Sequence, residues 1–326
     1  MAFPQAASTS PPAAAFSSIT DGSGASESSS YHFTTVENFF QIVSTGATDD
    51  YLSFHGVSED DFEAIDAARG NHRPGFRVRR FLAEPRVLYI TVPSGVHEVM
   101  HSSLHEQIVL QVAQAGLHSE WFSFARTTFR ANFGRPGEDA GEGDSTGGPK
   151  PARLFKGAWP TLVIEAGVSE TTSALQKDMR WWFSASEHDV KIVLLLHLDR
   201  TQQSIVLERW EEEASSLSRP GATTTRRAAE VEPVQRQTIT ITKDAVEERK
   251  LNVANGDLVL SFRLLFLRDP RPGEGDIIVT GAGLETCAEN VWGVCENVRG
   301  EAMQVEAGRH DKQYNAQDRA ESVAAK

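Results

Sequence analysis

Two groups of side chains in this chain of 326 residues have types and spacing that could support catalysis. The first centres on Glu165, at the carboxyl end of an apolar run at residues 159–165 (WPTLVIE) that is typical of a buried strand. A carboxylate in such a place is costly unless it is paired, protonated or bound to a metal. We therefore expect Glu165 either to bind a divalent metal with a second carboxylate or to pair with Arg180 as a structural residue.

A metal at Glu165 would need further ligands and a nearby cation. The acidic candidates are Asp139, Glu142 and Asp144 in the Gly-rich segment 134–148, and Glu170 and Asp178 downstream. Lys177, on a helix predicted at residues 171–186, could stabilise the charge that develops during phosphoryl transfer. This group predicts a carboxylate-bound Mg²⁺ and phosphodiester chemistry.

The second group is His97-Glu98-Val99-Met100-His101, an HExxH pattern. On a helix the two histidines can share a Zn²⁺ ion while the glutamate activates the bound water. A third ligand is required, and the candidates are His105, Glu106 and Glu120. The pattern lies on a predicted helix at residues 96–116, where it is also compatible with a face packed on a sheet.

The elements that must position these residues alternate between helix and strand. Strands are predicted at residues 86–92, 120–126, 152–155, 159–165, 190–198 and 204–210, and helices at residues 96–116 and 171–186. The step from residues 159–165 through a helix to residues 190–198 is a βαβ unit, which predicts two adjacent parallel strands. The fold class is therefore α/β, with a mixed central sheet and helices on both of its faces.

Residues 159–210 (WPTLVIEAGVSETTSALQKDMRWWFSASEHDVKIVLLLHLDRTQQSIVLERW) resemble the core of restriction-endonuclease-like, or PD-(D/E)xK, proteins. With residues 264–279 (LLFLRDPRPGEGDIIV), they resemble a group of uncharacterised filamentous-fungal proteins that carry this core. The similarity covers residues 85–280 approximately. Nucleases of this superfamily place an Asp and then an (Asp/Glu)-x-Lys around one or two Mg²⁺ ions.

The resemblance implies roles for individual residues of this chain. Glu165 matches the acidic position of the (Asp/Glu)-x-Lys pattern, and Asp144 is the best match to the upstream Asp. Gly167 stands where the lysine belongs, and Lys177 on the following helix could take its place. The expected metal ligands are Asp144 and Glu165, with Mg²⁺ as the cofactor.

The rest of the chain is divided by composition. We expect disordered ends at residues 1–30 and 301–326, a helical extension at 31–84, the core at 85–211, a linker at 212–236 and a β-rich extension at 237–300. Asn255-Gly256-Asp257 predicts a β-hairpin in that extension.

Composition also bears on location and partners. No window approaches the roughly 18 consecutive apolar residues of a membrane helix, and two cysteines make no disulfide framework. These features favour a cytoplasmic or nuclear protein without a membrane partner. A net charge of −13 does not support nucleic-acid binding. Arg73, Arg77, Arg79 and Arg80 form the densest basic cluster, with Arg226 and Arg227 in a loop, and we interpret the cluster as a solvated edge.

Three functions fit these observations. The first is a Mg²⁺-dependent phosphodiester hydrolase or its catalytically degenerate descendant. The second is a zinc-dependent hydrolase that uses His97, Glu98 and His101. The third is a non-catalytic interaction module.

Overall fold

A computed structural model describes residues 29–45, 51–72, 75–124, 127–131, 138–168, 170–214, 231–244 and 250–297. These residues form a mixed α/β fold with sheets of six, seven and two strands. The mixed α/β class predicted from the sequence is confirmed. Residues 1–28 and 301–326, predicted to be disordered, lie outside the described residues. Within the described ranges, no helix has the length and apolar character needed to cross a bilayer.

The strands and helices have the following bounds. The strands are β1 (Ser29–His32), β2 (Tyr51–His55), β3 (Arg77–Leu82), β4 (Val87–Thr91), β5 (Trp121–Phe124), β6 (Phe129–Arg130), β7 (Ala140–Gly141), β8 (Ser145–Pro149), β9 (Leu162–Gly167), β10 (Ile192–Asp199), β11 (Ser204–Ala214), β12 (Val231–Lys243), β13 (Leu251–Ala254), β14 (Leu258–Leu260) and β15 (Ile277–Val279). The helices are α1 (Val36–Thr45), α2 (Glu59–Ala68), α3 (Gly95–Gln114), α4 (Thr172–Ala185), α5 (Phe262–Phe266) and α6 (281–297). Single 3₁₀ turns lie at Arg69–Asn71 and His118–Glu120.

The seven-stranded sheet is the predicted core. Its strand order is β13-β12-β11-β10-β9-β8-β5. β9 and β10 are parallel, with Leu162 opposite Ile192, and every other neighbouring pair in this sheet is antiparallel. The prediction of adjacent parallel strands joined by a helix is confirmed. α4 begins at its N-cap, Thr171, and buries Leu175, Met179 and Trp182.

Helices cover both faces of this sheet. Ile164 and Ala166 of β9 pack in one cluster with Met100 and Leu104 of α3. Val163, which precedes Ile164, packs in a second cluster with the apolar stripe of α4. Because successive strand residues point to opposite faces, β9 presents one set of side chains to α3 and the other to α4.

The six-stranded sheet corrects the expectation of a helical extension at residues 31–84. Its order is β1-β2-β4-β3-β7-β6, so β1, β2 and β3 add strands to α1 and α2. β4, predicted as part of the core sheet, pairs with β2 and β3 instead. The apolar alternation that marks a strand is hidden in β3 (RVRRFL), because Arg79 and Arg80 are buried and not solvated.

The carboxyl-terminal third also departs from the predicted hairpin. β13 pairs with β12, whereas β14 pairs with β15 in a separate two-stranded sheet. Asn255 and Gly256 adopt the left-handed conformations of a tight turn, but the turn passes the chain from one sheet to the next.

Two boundaries were also misplaced. Residues 212–214 and 231–236, assigned to a linker, belong to β11 and β12, and residues 215–230 between them lie outside the described residues. Residues 152–155 contain no strand, whereas β8 occupies part of the segment expected to be a Gly-rich loop.

Candidate metal centre

α3 and the start of β8 bring His97, His101 and Asp144 together. One potential ligand atom from each residue lies within 4.8 Å of the other two. The histidines are four residues apart on one helix, which places them one above the other on the same face. Asp144 directly precedes β8, and its Oδ2 accepts a hydrogen bond of 2.8 Å from the backbone N–H of Ala166 in β9.

Three of the four imidazole nitrogens of this group lack hydrogen-bond partners among the described residues. His97 is 1% exposed and His101 is 3% exposed. Among the described residues, no group has hydrogen-bond geometry with either ring nitrogen of His97 or with the Nε2 of His101. His97 Nε2 lies 3.3 Å from Asp144 Oδ2. Leaving buried polar atoms unsatisfied costs about 1–3 kcal/mol each, and a bound cation would remove that cost. The donor set therefore fits a metal ion.

A neighbouring hydroxyl orients His101. Its Nδ1 lies 2.9 Å from Ser145 Oγ. When Nδ1 carries the proton and donates to that oxygen, the lone pair of Nε2 is free to bind a cation. Ser145 is the first residue of β8, so the strand that positions Asp144 also holds this ring.

Electrostatics keep Asp144 ionised. Burial alone would raise the pKa of Asp144, but His97, and after it His101 and Arg77, outweigh burial and hold the pKa below its usual value. Burial also disfavours protonated His97, yet the Asp144 carboxylate outweighs it and raises the pKa of His97. Where an ionised carboxylate lies beside imidazole rings, a metal ion can bind in place of a proton.

A pocket of about 640 Å³ opens beside this group. It is lined by Gly75, Arg77, Pro93, Glu98, His101, His105, Phe124, Asp144, Ser145 and Thr146. Glu98 Oε1 lies 3.6 Å from His101 Nε2. This contact lowers the pKa of Glu98 to about 2, with a further contribution from Arg77, although burial alone would raise it. The pocket wall thus carries an ionised carboxylate next to the candidate ligands.

Glu165 does not line this pocket. It is 1% exposed, and its Oε1 accepts a hydrogen bond of 2.6 Å from Trp182 Nε1. Burial, and after it the charge of Asp144, raises the pKa of Glu165 well above its usual value. The predicted partner Arg180 is exposed on α4, so the indole of Trp182 replaces it.

The position two residues after Glu165 has no room for a lysine. A Cβ atom at Gly167 would lie 2.8 Å from Glu170 Oε2 and 2.9 Å from Leu175 Cδ1. Lys177 is exposed on α4. The structure therefore places Lys177 at the surface, whereas Glu165 and Asp144 are both buried, and the charge of Asp144 acts on Glu165.

Buried arginines of β3 supply the positive charge near Glu165. Arg79 forms ion pairs with Glu170 and with Asp178, the latter at 2.6 Å, and its charge acts to lower the pKa of Glu165. Arg80 pairs with Asp178 at 2.8 Å. The strand register shifts between Val78 and Arg80, and such a bulge turns consecutive side chains into the interior.

The interpretation of the basic cluster as a solvated edge is therefore wrong for Arg79 and Arg80, each only 4% exposed. Each is held by carboxylates that are distant in sequence, which is why the sequence did not reveal the pairing. Arg73, Arg226 and Arg227 lie outside the described residues.

The remaining candidates have other partners. His105 contacts Ser123 Oγ at 3.2 Å, Glu120 pairs with Arg268 at 2.9 Å, and Glu106 is exposed. Asp139 accepts a hydrogen bond from the Ala83 N–H, and Glu142 pairs with Arg69. The third residue beside the two histidines is thus Asp144, which the sequence had assigned to the other group.

Comparison with known proteins adds little to these observations. No family model and no curated protein matches the chain. Among solved structures, the chain is similar to the crystal structure of a proposed nuclease belonging to DUF820 from Anabaena variabilis ATCC 29413. The sequence identity is 14%, the TM-score is 0.32, and the match covers 54% of this chain and 83% of that chain. A TM-score of this size assigns neither a fold family nor an activity.

Proposed function

We propose that this protein is a metal-dependent hydrolase that binds its ion through His97, His101 and Asp144. The observation that carries the proposal is the convergence of these three buried residues, with unpartnered imidazole nitrogens, beside an open pocket. The restriction-endonuclease-like core that the sequence resembles makes a phosphodiester the expected substrate.

The donor atoms bear on the identity of the metal. Imidazole nitrogen suits Zn²⁺ and other transition metals, whereas Mg²⁺ prefers oxygen ligands in an octahedral arrangement. The geometry therefore favours Zn²⁺ or Mn²⁺ over the Mg²⁺ expected from the sequence. Mg²⁺ held by Asp144 and Glu165 stays an alternative, and the hydrogen bond from Trp182 to Glu165 weighs against it.

The chain's own residues have distinct roles in this proposal. Three protein ligands are the number that catalytic zinc sites use, with a further position left for water or substrate. A bound ion would polarise the substrate and lower the pKa of water. Glu98 is ionised, lies at the pocket wall beside His101 and would accept a proton from the attacking water. Arg77 fixes Glu98 through hydrogen bonds of 3.1–3.2 Å.

Metal binding is tested first. Protein purified without chelator is analysed for metal content and for thermal stabilisation by Zn²⁺, Mn²⁺ and Mg²⁺. We expect about one ion per chain and a stabilisation of roughly 2.7 kcal/mol at a free concentration of 100 times the Kd. His101→Ala should lose both. His105→Ala is the matched control, because His105 lies one turn further along α3 and outside the cluster, and it should retain both.

Hydrolysis is tested with bis(p-nitrophenyl) phosphate as a general phosphodiester. Activity should depend on the metal, and Glu98→Gln should lower kcat by roughly 100-fold or more while the metal content stays unchanged. A folded wild-type protein that binds none of the three ions would overturn the proposal. The interaction module would then be the better description.

A further inference from the structure

Resting on the proposed function, we infer that the substrate is a small phosphodiester that carries an aromatic ring. Arg77 binds its phosphate and Phe124 packs against its ring. Both residues line the pocket beside the His97, His101 and Asp144 cluster. The inference rests on the charge of the pocket, the geometry of the guanidinium group and the composition of the walls.

The charges around the pocket select an anionic ligand once a divalent ion is present. Among the described residues that line the pocket, Arg77 is the one Lys or Arg, and Glu98 and Asp144 are the carboxylates. Burial lowers the pKa of His105 to about 4, so this ring is neutral at pH 7. One positive and two negative charges become a net charge of +1 when a divalent cation binds. A phosphodiester, with a single negative charge, matches that value.

Arg77 is held in place and retains a donor for the ligand. Its Nε and Nη2 donate to the Glu98 carboxylate, and its Nη1 donates to the backbone oxygen of Asp144 at 3.2 Å. These contacts engage all three nitrogens of the guanidinium. Nη1 carries two N–H groups and has one hydrogen-bond acceptor among the described residues, so its second N–H can donate to a ligand. A planar guanidinium with a fixed orientation is well suited to bind a phosphate oxygen.

The aromatic wall favours a substrate with a planar ring. Phe124 lies on β5, where its ring is 4.4 Å from the ring of Phe122 and 5.5 Å from the ring of Phe129. These neighbours hold the Phe124 ring in place at the pocket edge. Stacking of a nucleobase on such a ring contributes about 1–3 kcal/mol and tolerates any base.

Size and charge argue against a long nucleic acid. A volume of about 640 Å³ is that of a site for a small ligand. Binding to a polynucleotide requires several basic side chains along the phosphate backbone. The described part of the lining offers one arginine, and the whole chain carries a net charge of −13. A single phosphodiester group flanked by one or two nucleosides satisfies both constraints.

The test compares substrates and variants on the metal-loaded protein. The substrates are a dinucleoside monophosphate, a duplex DNA of 30 base pairs (roughly 30 phosphates per strand) and p-nitrophenyl acetate as a neutral ester. We expect the dinucleotide to be hydrolysed with the highest kcat/KM. Arg77→Lys should raise KM for the dinucleotide and lower kcat/KM by roughly 10- to 100-fold. It should leave the metal content unchanged and lower hydrolysis of the neutral ester by a smaller factor, because that ester has no phosphate for Arg77 to bind.

Matched variants separate local from general effects. Arg263→Lys changes an arginine on α5 that lies outside this pocket and should behave as wild type. Phe124→Leu should raise the KM for the dinucleotide by a larger factor than the Ki of dimethyl phosphate, a competitor without an aromatic ring. Phe155→Leu should change neither constant, since Phe155 is exposed and lies outside the pocket.

The outcomes separate this inference from the proposed function. Preference for the duplex, or an unchanged KM in Arg77→Lys, would overturn the inference while leaving a metal-dependent hydrolase. If the protein binds metal without turnover, calorimetry with the dinucleotide decides. Binding that weakens in Arg77→Lys supports the inference although the hydrolase proposal fails, and no binding overturns both.

Discussion

Replacing Glu165 by Gln tests whether this carboxyl group is neutral in the folded protein. Its pKa is raised well above 4.5 because the group is buried, and the Trp182 indole donates a hydrogen bond to Oε1. A protonated carboxyl group and a Gln amide have nearly the same shape, and the amide oxygen can accept the same hydrogen bond. Near pH 5 the variant and the wild type should therefore have similar free energies of unfolding.

The two proteins should diverge as the pH rises. Above pH 4.5 the unfolded chain has released the Glu165 proton while the folded chain still holds it. The free energy of unfolding of the wild type therefore falls by about 1.4 kcal/mol per pH unit from this one group. The loss continues until the pH reaches the folded-state pKa. Gln cannot ionise, so the variant lacks this loss and becomes the more stable protein by about 1.4 kcal/mol for each pH unit in that window.

The assay is urea unfolding followed by tryptophan fluorescence at several pH values above 5, with EDTA present. Glu142→Gln is a matched control, because Glu142 is also buried but pairs with Arg69 at 2.6 Å. This control should lose roughly 1.5–3 kcal/mol, the contribution of hydrogen bonds to a charged group. A Glu165→Gln variant that is less stable than the wild type by the same amount at every pH would show that Glu165 is ionised and paired, and would refute the argument.

Three further substitutions test the contacts around this strand. Arg79→Met leaves the buried Glu170 without its cation and removes one of the two arginines that pair with Asp178, so it should lower the free energy of unfolding by about 3–5 kcal/mol, measured by chemical denaturation. Gly167→Ala places a methyl group against a carboxylate oxygen and should cost about 1–3 kcal/mol, whereas Gly70→Ala, which meets open space, should be neutral in the same assay. Trp182→Phe removes the hydrogen-bond donor to Glu165 and opens a gap. The urea midpoint of this variant should fall by an amount that corresponds to about 1–3 kcal/mol. An unchanged midpoint would argue against the hydrogen bond.

The sequence was most informative where burial is local and continuous. Residues 159–165 and 190–198 are apolar on both faces, and both proved to be central parallel strands. β3 was missed because three of its six residues are arginines, whose burial depends on carboxylates about 90 to 100 residues away. No local pattern reports a pairing of that kind.

Sequence reasoning identified the three residues of the candidate metal site, but it assigned them to two separate groups. The HExxH spacing identified His97 and His101 as a pair on one helix face, and the resemblance selected Asp144. What the sequence did not reveal is that α3 and the residue before β8 bring all three side chains together. That outcome depends on the pairing of Ser145 with Ile164, which is set by the sheet register and not by spacing along the chain.

β3 contributes side chains both to the pocket and to the protein interior, and this double role should restrict which substitutions relatives accept in β3. Within four residues it supplies Arg77 to the pocket and Arg79 and Arg80 to the interior beside α4. Loss of the Asp178 carboxylate would leave the two interior arginines short of a counter-charge, so substitutions at these positions should be accepted only together. Covariation between positions 79 and 178 is therefore expected in an alignment of relatives, whereas an arginine at the surface would vary independently of position 178. An insertion or deletion of one residue in β3 should be rarer still, because it would exchange the side chains of the pocket with those of the interior.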